Sequence, residues 1–381
     1  MRWLFGTLLV LHGLIHTMGF AKAFGLAELS QLTREISRPL GVLWLLAALL
    51  TLAAAVSFFA WPRAFWIVAI LACVVSQIVI MPSWIDAKFG TLANVLLLVA
   101  GVLGFASQGP LSFRHEYSGE VQKRLATAQG IPLVGDADLA PLPRLVQGYL
   151  RSAGVVGKPQ VRSMRLRFTG RIRSGPDAPW MPFVAEQHSF FDSMTRLFWM
   201  RASRAGIPFD VLHRFADQAA TMRVRIASLL PMVDAHGTDM TRAETVTLFN
   251  DMVAMAPATL INPSIRWKEI DAKTVRAEFS HGSNTIAADL LFDDAGTLVD
   301  FVSEDRLASS ADGKSFTRMR WSTPLTEVRW LGPDQGGSGG TVRIAAHAEA
   351  IWHAATGPYA YGVFDILTVE YNGDSLWAVM D

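Results

Sequence analysis

MRWLFGTLLVLHGLIHTMGF, residues 1–20, is an apolar stretch long enough to cross a bilayer as a helix, and it carries His12 and His16 on one helical face. Imidazoles surrounded by hydrocarbon need hydrogen-bonding partners, so that face is expected to look into a helical bundle. Three further apolar spans follow at 40–60, 64–81 and 89–105, each near the ~20 residues that cross the hydrocarbon layer. Pro39 suits the first turn of the second span, and the short WPR connection at 61–63 can only join antiparallel neighbours. The spacing therefore predicts a four-helix transmembrane domain over 1–106, a linker with a connecting helix over 107–135, and an antiparallel β-rich domain over 136–381.

Composition agrees with this division. Of 381 residues 51% are hydrophobic and 18% charged, the mean hydropathy is positive, and the apolar excess lies almost wholly before residue 107. A net charge of +1 with scattered Lys and Arg argues against a nucleic-acid partner. The single cysteine, Cys73, excludes an intramolecular disulfide and any cysteine-based metal site. No small-residue cleavage pattern follows Phe20, so the first span reads as a retained helix.

Within the membrane half, residues 21–38 place Phe24, Leu26, Leu29, Leu32 and Ile36 at helical spacing among polar residues, which predicts a short amphipathic helix on the membrane surface. Asp86, Gly90 and Asn94 share a face at steps of four. Convergence of His12, His16, Asp86 and Asn94 would make a membrane pocket for a small ligand or a proton. The histidines alone leave three readings open: hydrogen-bonded glue between helices, a proton or quinone-type site, or a metal or haem site lacking a second histidine pair. With four spans both termini share a side, and the slight excess of Arg and Lys there favours the cytoplasm for the β domain of a bacterial inner-membrane protein.

From Val161 the period becomes two. Met164, Leu166 and Phe168 alternate with Arg165, Arg167 and Thr169, which predicts a strand with one apolar and one solvated basic face. About a dozen short strands are expected, one of them running unbroken over 298–307 and another over 315–324. Turn signals at Asp293-Asp-Ala-Gly296, His281-Gly-Ser-Asn284 and Ala311-Asp-Gly313 support this meander. One helix interrupts it: Thr241-x-x-Glu244 matches a capping box ahead of the stripe Val246, Phe249, Met252, Val253 and Ala256, and Pro257 ends it. Residues 336–340, all Gly and Ser, read as a flexible loop, since no Lys-Ser/Thr follows to cradle a phosphate. The expected architecture is a curved antiparallel sheet or half-barrel plugged by the helix, with an apolar concavity for a lipid-like molecule or with the helix completing a dry core.

No nucleophile elbow, Walker loop, dinucleotide fingerprint or zincin motif is present. The polar candidates in the β domain are Glu186 with His188 and Glu304 with Arg306, each pair on one strand face, together with Arg320, Trp321 and Tyr371. Glu186 with His188 could serve as an acid/base pair or as a salt-bridged face. The loop Gly357-Pro-Tyr-Ala-Tyr361 is a candidate aromatic gate.

The segments HGLIHTMGFAKAFG (12–25), ISRPLGVLWLLAA (36–48), DAKFGTLANVLLL (86–98), LFDDAGTLVDFVSEDR (291–306) and TVEYNGD (368–374) resemble an uncharacterised bacterial family that joins a four-helix membrane part to a β-rich domain of unknown function. The membrane part is similar in general form to quinone-associated four-helix proteins of the DoxX type, and the β domain to curved-sheet lipoprotein carriers. The resemblance implies no catalytic residues and no resident cofactor; a quinone or haem belongs to the alternative reading of the histidine pocket. The partners expected are the bilayer and a hydrophobic small molecule or lipid.

Overall fold

The computed structural model describes residues 2–125, 130–333 and 341–373; the glycine-rich loop expected at 336–340 lies outside them. The chain divides into two compact units, one over Met1–Glu116 and one over Tyr117–Trp377.

In the first unit α1 (Arg2–Ala23), α2 (Arg38–Ala60), α3 (Pro62–Ile80) and, after the single turn α4 (Trp84–Ala87), α5 (Gly90–Gln108) supply four helices long and apolar enough to cross a membrane. Their apolar side chains point mostly outward, Leu11, Leu49, Leu71 and Leu92 among them, while small residues occupy the contacts. A Cβ at Gly6 would lie 2.6 Å from the Phe59 ring and one at Gly13 2.9 Å from Leu52 Cγ, so glycine on α1 lets α2 approach. Pro39 sits in the first turn of α2 beside the N-cap Ser37. The surface helix expected over 21–38 does not form. Gly25 at φ +65° ends α1, and the following loop is instead held by Asp86, which accepts from Thr33 N at 2.7 Å, Thr33 Oγ1 at 2.8 Å and Arg34 N at 3.3 Å.

The second unit begins on the helix α6 (Phe113–Arg124) and the short helices α7 (Asp136–Leu139) and α8 (Arg144–Ser152). A meander follows: β1 (Ser163–Ile172), β2 (Met181–Phe190), β3 (Thr195–Arg204), β4 (Ile207–Ala216), β5 (Ala219–Ile226) and β6 (Leu230–Ala235). The helix α9 (Thr238–Met255) then leads to β7 (Ile265–Glu269), β8 (Thr274–His281), β9 (Asn284–Phe292) and β10 (Leu298–Ser303). The hairpin β11 (Leu307–Ser309) and β12 (Phe316–Arg318) precedes β13 (Trp321–Ser322), β14 (Leu325–Leu331), β15 (Val342–Ala354) and β16 (Gly357–Tyr371). Apart from that hairpin the strands form one antiparallel sheet of 14, ordered β6-β5-β4-β3-β2-β1-β16-β15-β13-β10-β9-β8-β7 with β14 on β15. Its two end strands do not pair, so the sheet curves without closing, and α9 is buried along 14 of its residues against β5, β9, β11 and β15.

Local chemistry explains several departures from the sequence reading. Residues 230–235 carry no expected strand, because the preceding turn uses Ala227 and Ser228 at φ +52° and +60° rather than glycine. The strand expected over 298–307 breaks after Ser303, where Asp305 turns the chain by accepting from Arg242 at 2.6 Å, Arg318 at 2.8 Å and Ala287 N at 2.8 Å. The strand expected over 315–324 likewise splits into β12 and β13. The hairpin so released lies as a strap over α9, its tip packed on β6: a Cβ on Gly313 would stand 2.6 Å from Val233. The aromatic gate expected at 357–361 is the first part of β16, with Tyr359 opposite Trp352.

Candidate functional site

Two polar constellations stand out, one in each unit. In the membrane unit α1 presents His12 and His16 to α3 and α5. His12 Nε2 lies 3.0 Å from Asn94 Oδ1 and 3.3 Å from Ser76 Oγ, and His16 Nε2 lies 2.7 Å from Ser76 Oγ. Asn94 donates its amide to Gln77 Oε1 at 3.0 Å, which orients Oδ1 as the acceptor for His12 and makes Nε2 of His12 the protonated nitrogen. Gln77 continues to Thr91 at 3.3 Å, and the Cys73 thiol donates to the Asn94 carbonyl at 3.4 Å. His12, His16, Ser76 and Asn94 are all buried. His16 Nδ1 and the Trp44 Nε1–H, on rings 5.2 Å apart, have no protein partner among the described residues.

Asp86, expected as the fourth member, stands apart. It holds the loop at Thr33 and Arg34, and those hydrogen bonds, that from the Thr33 hydroxyl foremost, keep its carboxyl below the ordinary value. Ser76 and Gln77 take its place. They were hidden in the sequence because each is a lone polar residue in the apolar third span.

In the β domain a hollow of about 500 Å³ lies between α9 and the concave face of the sheet. Phe168, Phe198, Met200, Val211, Met222 and Trp352 contribute to its apolar wall, and methionine gives such a wall adaptable shape. Its floor carries buried charge. Arg196 of β3 donates through Nε to Asp251 Oδ2 at 2.6 Å and through Nη1 to Glu244 Oε2 at 3.2 Å, both acids on α9. Gln187 donates to Asp251 at 2.8 Å, His213 Nδ1 is 3.5 Å from Glu244 Oε2, and Arg306 donates to Glu244 Oε1 at 3.3 Å from above the Trp321 and Trp352 rings. Burial raises the Glu244 carboxyl, but His213, Arg306 and Arg196 together outweigh it and hold it well below the usual carboxylate range. For Asp251 the balance goes the other way, and burial leaves it above its ordinary value despite Arg196.

Glu244 escapes sequence reading because Thr241-x-x-Glu244 resembles a capping box. The helix in fact begins a turn earlier, at Thr238 with Gly237 before it, so Glu244 lies within α9 and turns to the arginines.

Of the residues expected in this domain, Arg306 and Trp321 line the hollow. Glu186 and His188 do share a strand face, but the opposite one: Gln187 between them points inward to Asp251, while His188 Nδ1 lies 2.7 Å from the Tyr117 hydroxyl of α6. That outer face is not the solvated basic surface expected from β1, since Arg165 and Arg167 are buried and Arg165 pairs with Glu370. Glu304 and Arg306 share no strand; Glu304 is exposed and faces Arg320 at 3.7 Å. Tyr371 donates to the Met255 carbonyl, as Tyr149 does to Val253 at 2.8 Å, so these tyrosines satisfy the last carbonyls of α9. Among the described residues no group of three or more His, Cys, Asp or Glu is placed to hold a metal ion.

No curated protein matches the chain. Among solved structures it is similar to a domain named as an outer membrane lipoprotein-sorting protein from Vibrio parahaemolyticus, at 6% identity and a TM-score of 0.31 over 55% of this chain and 85% of that one. It is also similar to a DUF1329 family protein from Desulfovibrio piger, at 11% identity and a TM-score of 0.34 over 60% of this chain and 91% of that one. Neither likeness bears on function. Residues 132–364, which contain the lining of the hollow except Ile366, match a family of unknown function, and the chain belongs to that family, DUF6544.

Proposed function

We propose that the β domain holds one lipid-like, amphipathic molecule in its hollow, as part of an integral protein of the bacterial inner membrane. The observation that carries this reading is the hollow itself: about 500 Å³, within the ~300–1,000 Å³ of small-molecule sites, with an aromatic and methionine wall and a few convergent polar groups. A wall of this kind takes flexible apolar chains without demanding one shape. The polar groups orient one end of the occupant.

Native mass spectrometry of the full-length protein tests this. The wild type is expected to retain a co-purified amphiphile, and Val211→Trp, which fills the hollow, to lose it while keeping the β-sheet circular dichroism. A wild-type protein that carries nothing from a native membrane extract, with no adduct above its own chain mass, would overturn the reading.

A second reading places a quinone-type head group at His16 and Trp44, whose buried Nδ1 and Nε1 respectively have no protein partner among the described residues. Haem fits less well, because Nε2 of both histidines is already committed to Ser76 and Asn94. A quinone in the solvent extract that survives Val211→Trp supports this second reading.

A further inference from the structure

Besides His213 Nδ1, which faces Glu244 at 3.5 Å, five polar atoms without a protein partner among the described residues belong to side chains that line the same hollow: Gln187 Oε1, Asn250 Oδ1, Arg306 Nε, Trp321 Nε1 and Thr323 Oγ1. Gln187, Asn250, Trp321 and Thr323 are each more than nine-tenths buried. Their hydrogen-bonding roles are mixed. Arg306 Nε–H and the Trp321 indole N–H only donate, the two amide oxygens only accept, and the threonine hydroxyl does either. Leaving such groups unmet inside a protein costs stability, so a core built only to be dry would have no reason to gather them.

The charges on the floor of the hollow pair with one another. Two guanidinium groups, Arg196 and Arg306, face two carboxylates, Glu244 and Asp251, and every one of these is engaged. An anionic head would enter among cations already committed to acids, and a buried charge without its own partner is heavily penalised. A bare hydrocarbon would leave all five atoms unmet.

Resting on the reading of the hollow as a lipid-like binding site, we infer that its ligand enters head first and that the head is uncharged and oxygen-bearing, of the ester-plus-hydroxyl kind found in a monoacylglycerol. Its carbonyl oxygen accepts from Arg306 Nε–H and Trp321 Nε1–H, and its hydroxyl donates to Asn250 or Gln187. The acyl chain lies along the Met200, Met222 and Phe198 wall.

Full-length protein in phosphatidylcholine nanodiscs, doped in turn with monoolein, oleate and octadecane at equal mole fraction, tests the inference by native mass spectrometry. Monoolein is expected to give the highest occupancy. Trp321→Phe, which keeps the ring under Arg306 but removes the donor, and Asn250→Leu, which removes an acceptor, should each lower monoolein binding by about threefold to tenfold and spare octadecane. Equal occupancy by monoolein and octadecane would mean that water serves the five atoms, and oleate in first place would mean a charged head. Either result overturns the inference while the hollow remains a binding site. If none of the three probes binds above the level of Val211→Trp, the binding-site reading falls with it.

Discussion

At the scale of single residues, the cost of burying charge decides what each group can do. Asp300 on β10 accepts from Phe301 N at 2.8 Å and Thr323 N at 3.0 Å, yet burial pushes its carboxyl up to about 6. The folded state then binds a proton that the unfolded chain, with a pKa of ~3.9, has already released, so stability falls as the pH rises from about 4 to about 6. Asp300→Asn keeps an acceptor for both amides and removes the charge. It is expected to raise the stability of the β domain by about 1–2 kcal/mol at neutral pH, after allowance for partial exposure, and to give no gain below about pH 4. Melting followed by tryptophan fluorescence across that range checks it; a gain independent of pH would contradict the assignment. Arg196 is the opposite case, because its removal takes from Asp251 its paired cation and leaves Glu244 to Arg306 and His213. Arg196→Met should cost about 3–5 kcal/mol, seen as a large fall in the melting temperature, whereas Arg276→Met, which breaks the exposed pair with Asp289, should cost about 1 kcal/mol or less.

At the scale of elements, the membrane helices associate through absence of side chain rather than through apolar attraction, since lipid is as apolar as leucine. Gly13 lets α1 approach α2 closely: a Cβ there would meet Leu52 Cγ at 2.9 Å and the Ala48 carbonyl at 3.3 Å. Gly13→Leu should overpack this contact by about 1–3 kcal/mol and carry His12 and His16 away from Ser76. Unfolding of the bundle in mixed micelles measures the loss, and an unchanged midpoint would show that the helices are not held by this contact. In the β domain α9 is organised the other way round. Apolar residues surround it, Phe249 stacks on Phe279 with ring centres 5.1 Å apart, and its two buried acids are tolerated only because β3 and the turn after β10 supply arginines.

At the scale of the whole molecule, four apolar helices and a large open antiparallel sheet share one chain. The balance of basic residues predicts that the β domain is cytoplasmic. A fluorescent reporter that matures only in the cytoplasm, fused after Asp381, should therefore light up; a dark fusion with an active periplasmic reporter at the same place would reverse the orientation. The four apolar helices, the change of period near Val161, the helix ended by Pro257 and the placing of His12 and His16 on one buried face of α1 were legible along the chain, because each is written in local hydropathy, spacing or a backbone breaker. The same kind of evidence offers Asp86, Glu186, His188 and Tyr371 as site residues, and the fold sends each elsewhere: Asp86 to a loop, Glu186 and His188 to the outer face of the sheet, Tyr371 to the end of α9.

What the amino-acid order determined by itself is therefore the inventory of elements and the faces they own, since periods of 3.6 and 2 are properties of a single segment. Which faces meet was decided only in three dimensions. Glu244 and Asp251 lie roughly fifty residues from Arg196, and Arg306 comes from the far side of the sheet, so their convergence on one hollow needed the sheet to curve around α9. Ser76 entered the histidine cluster for the same reason, because a lone hydroxyl in an apolar span gains its meaning from the helix packed against it.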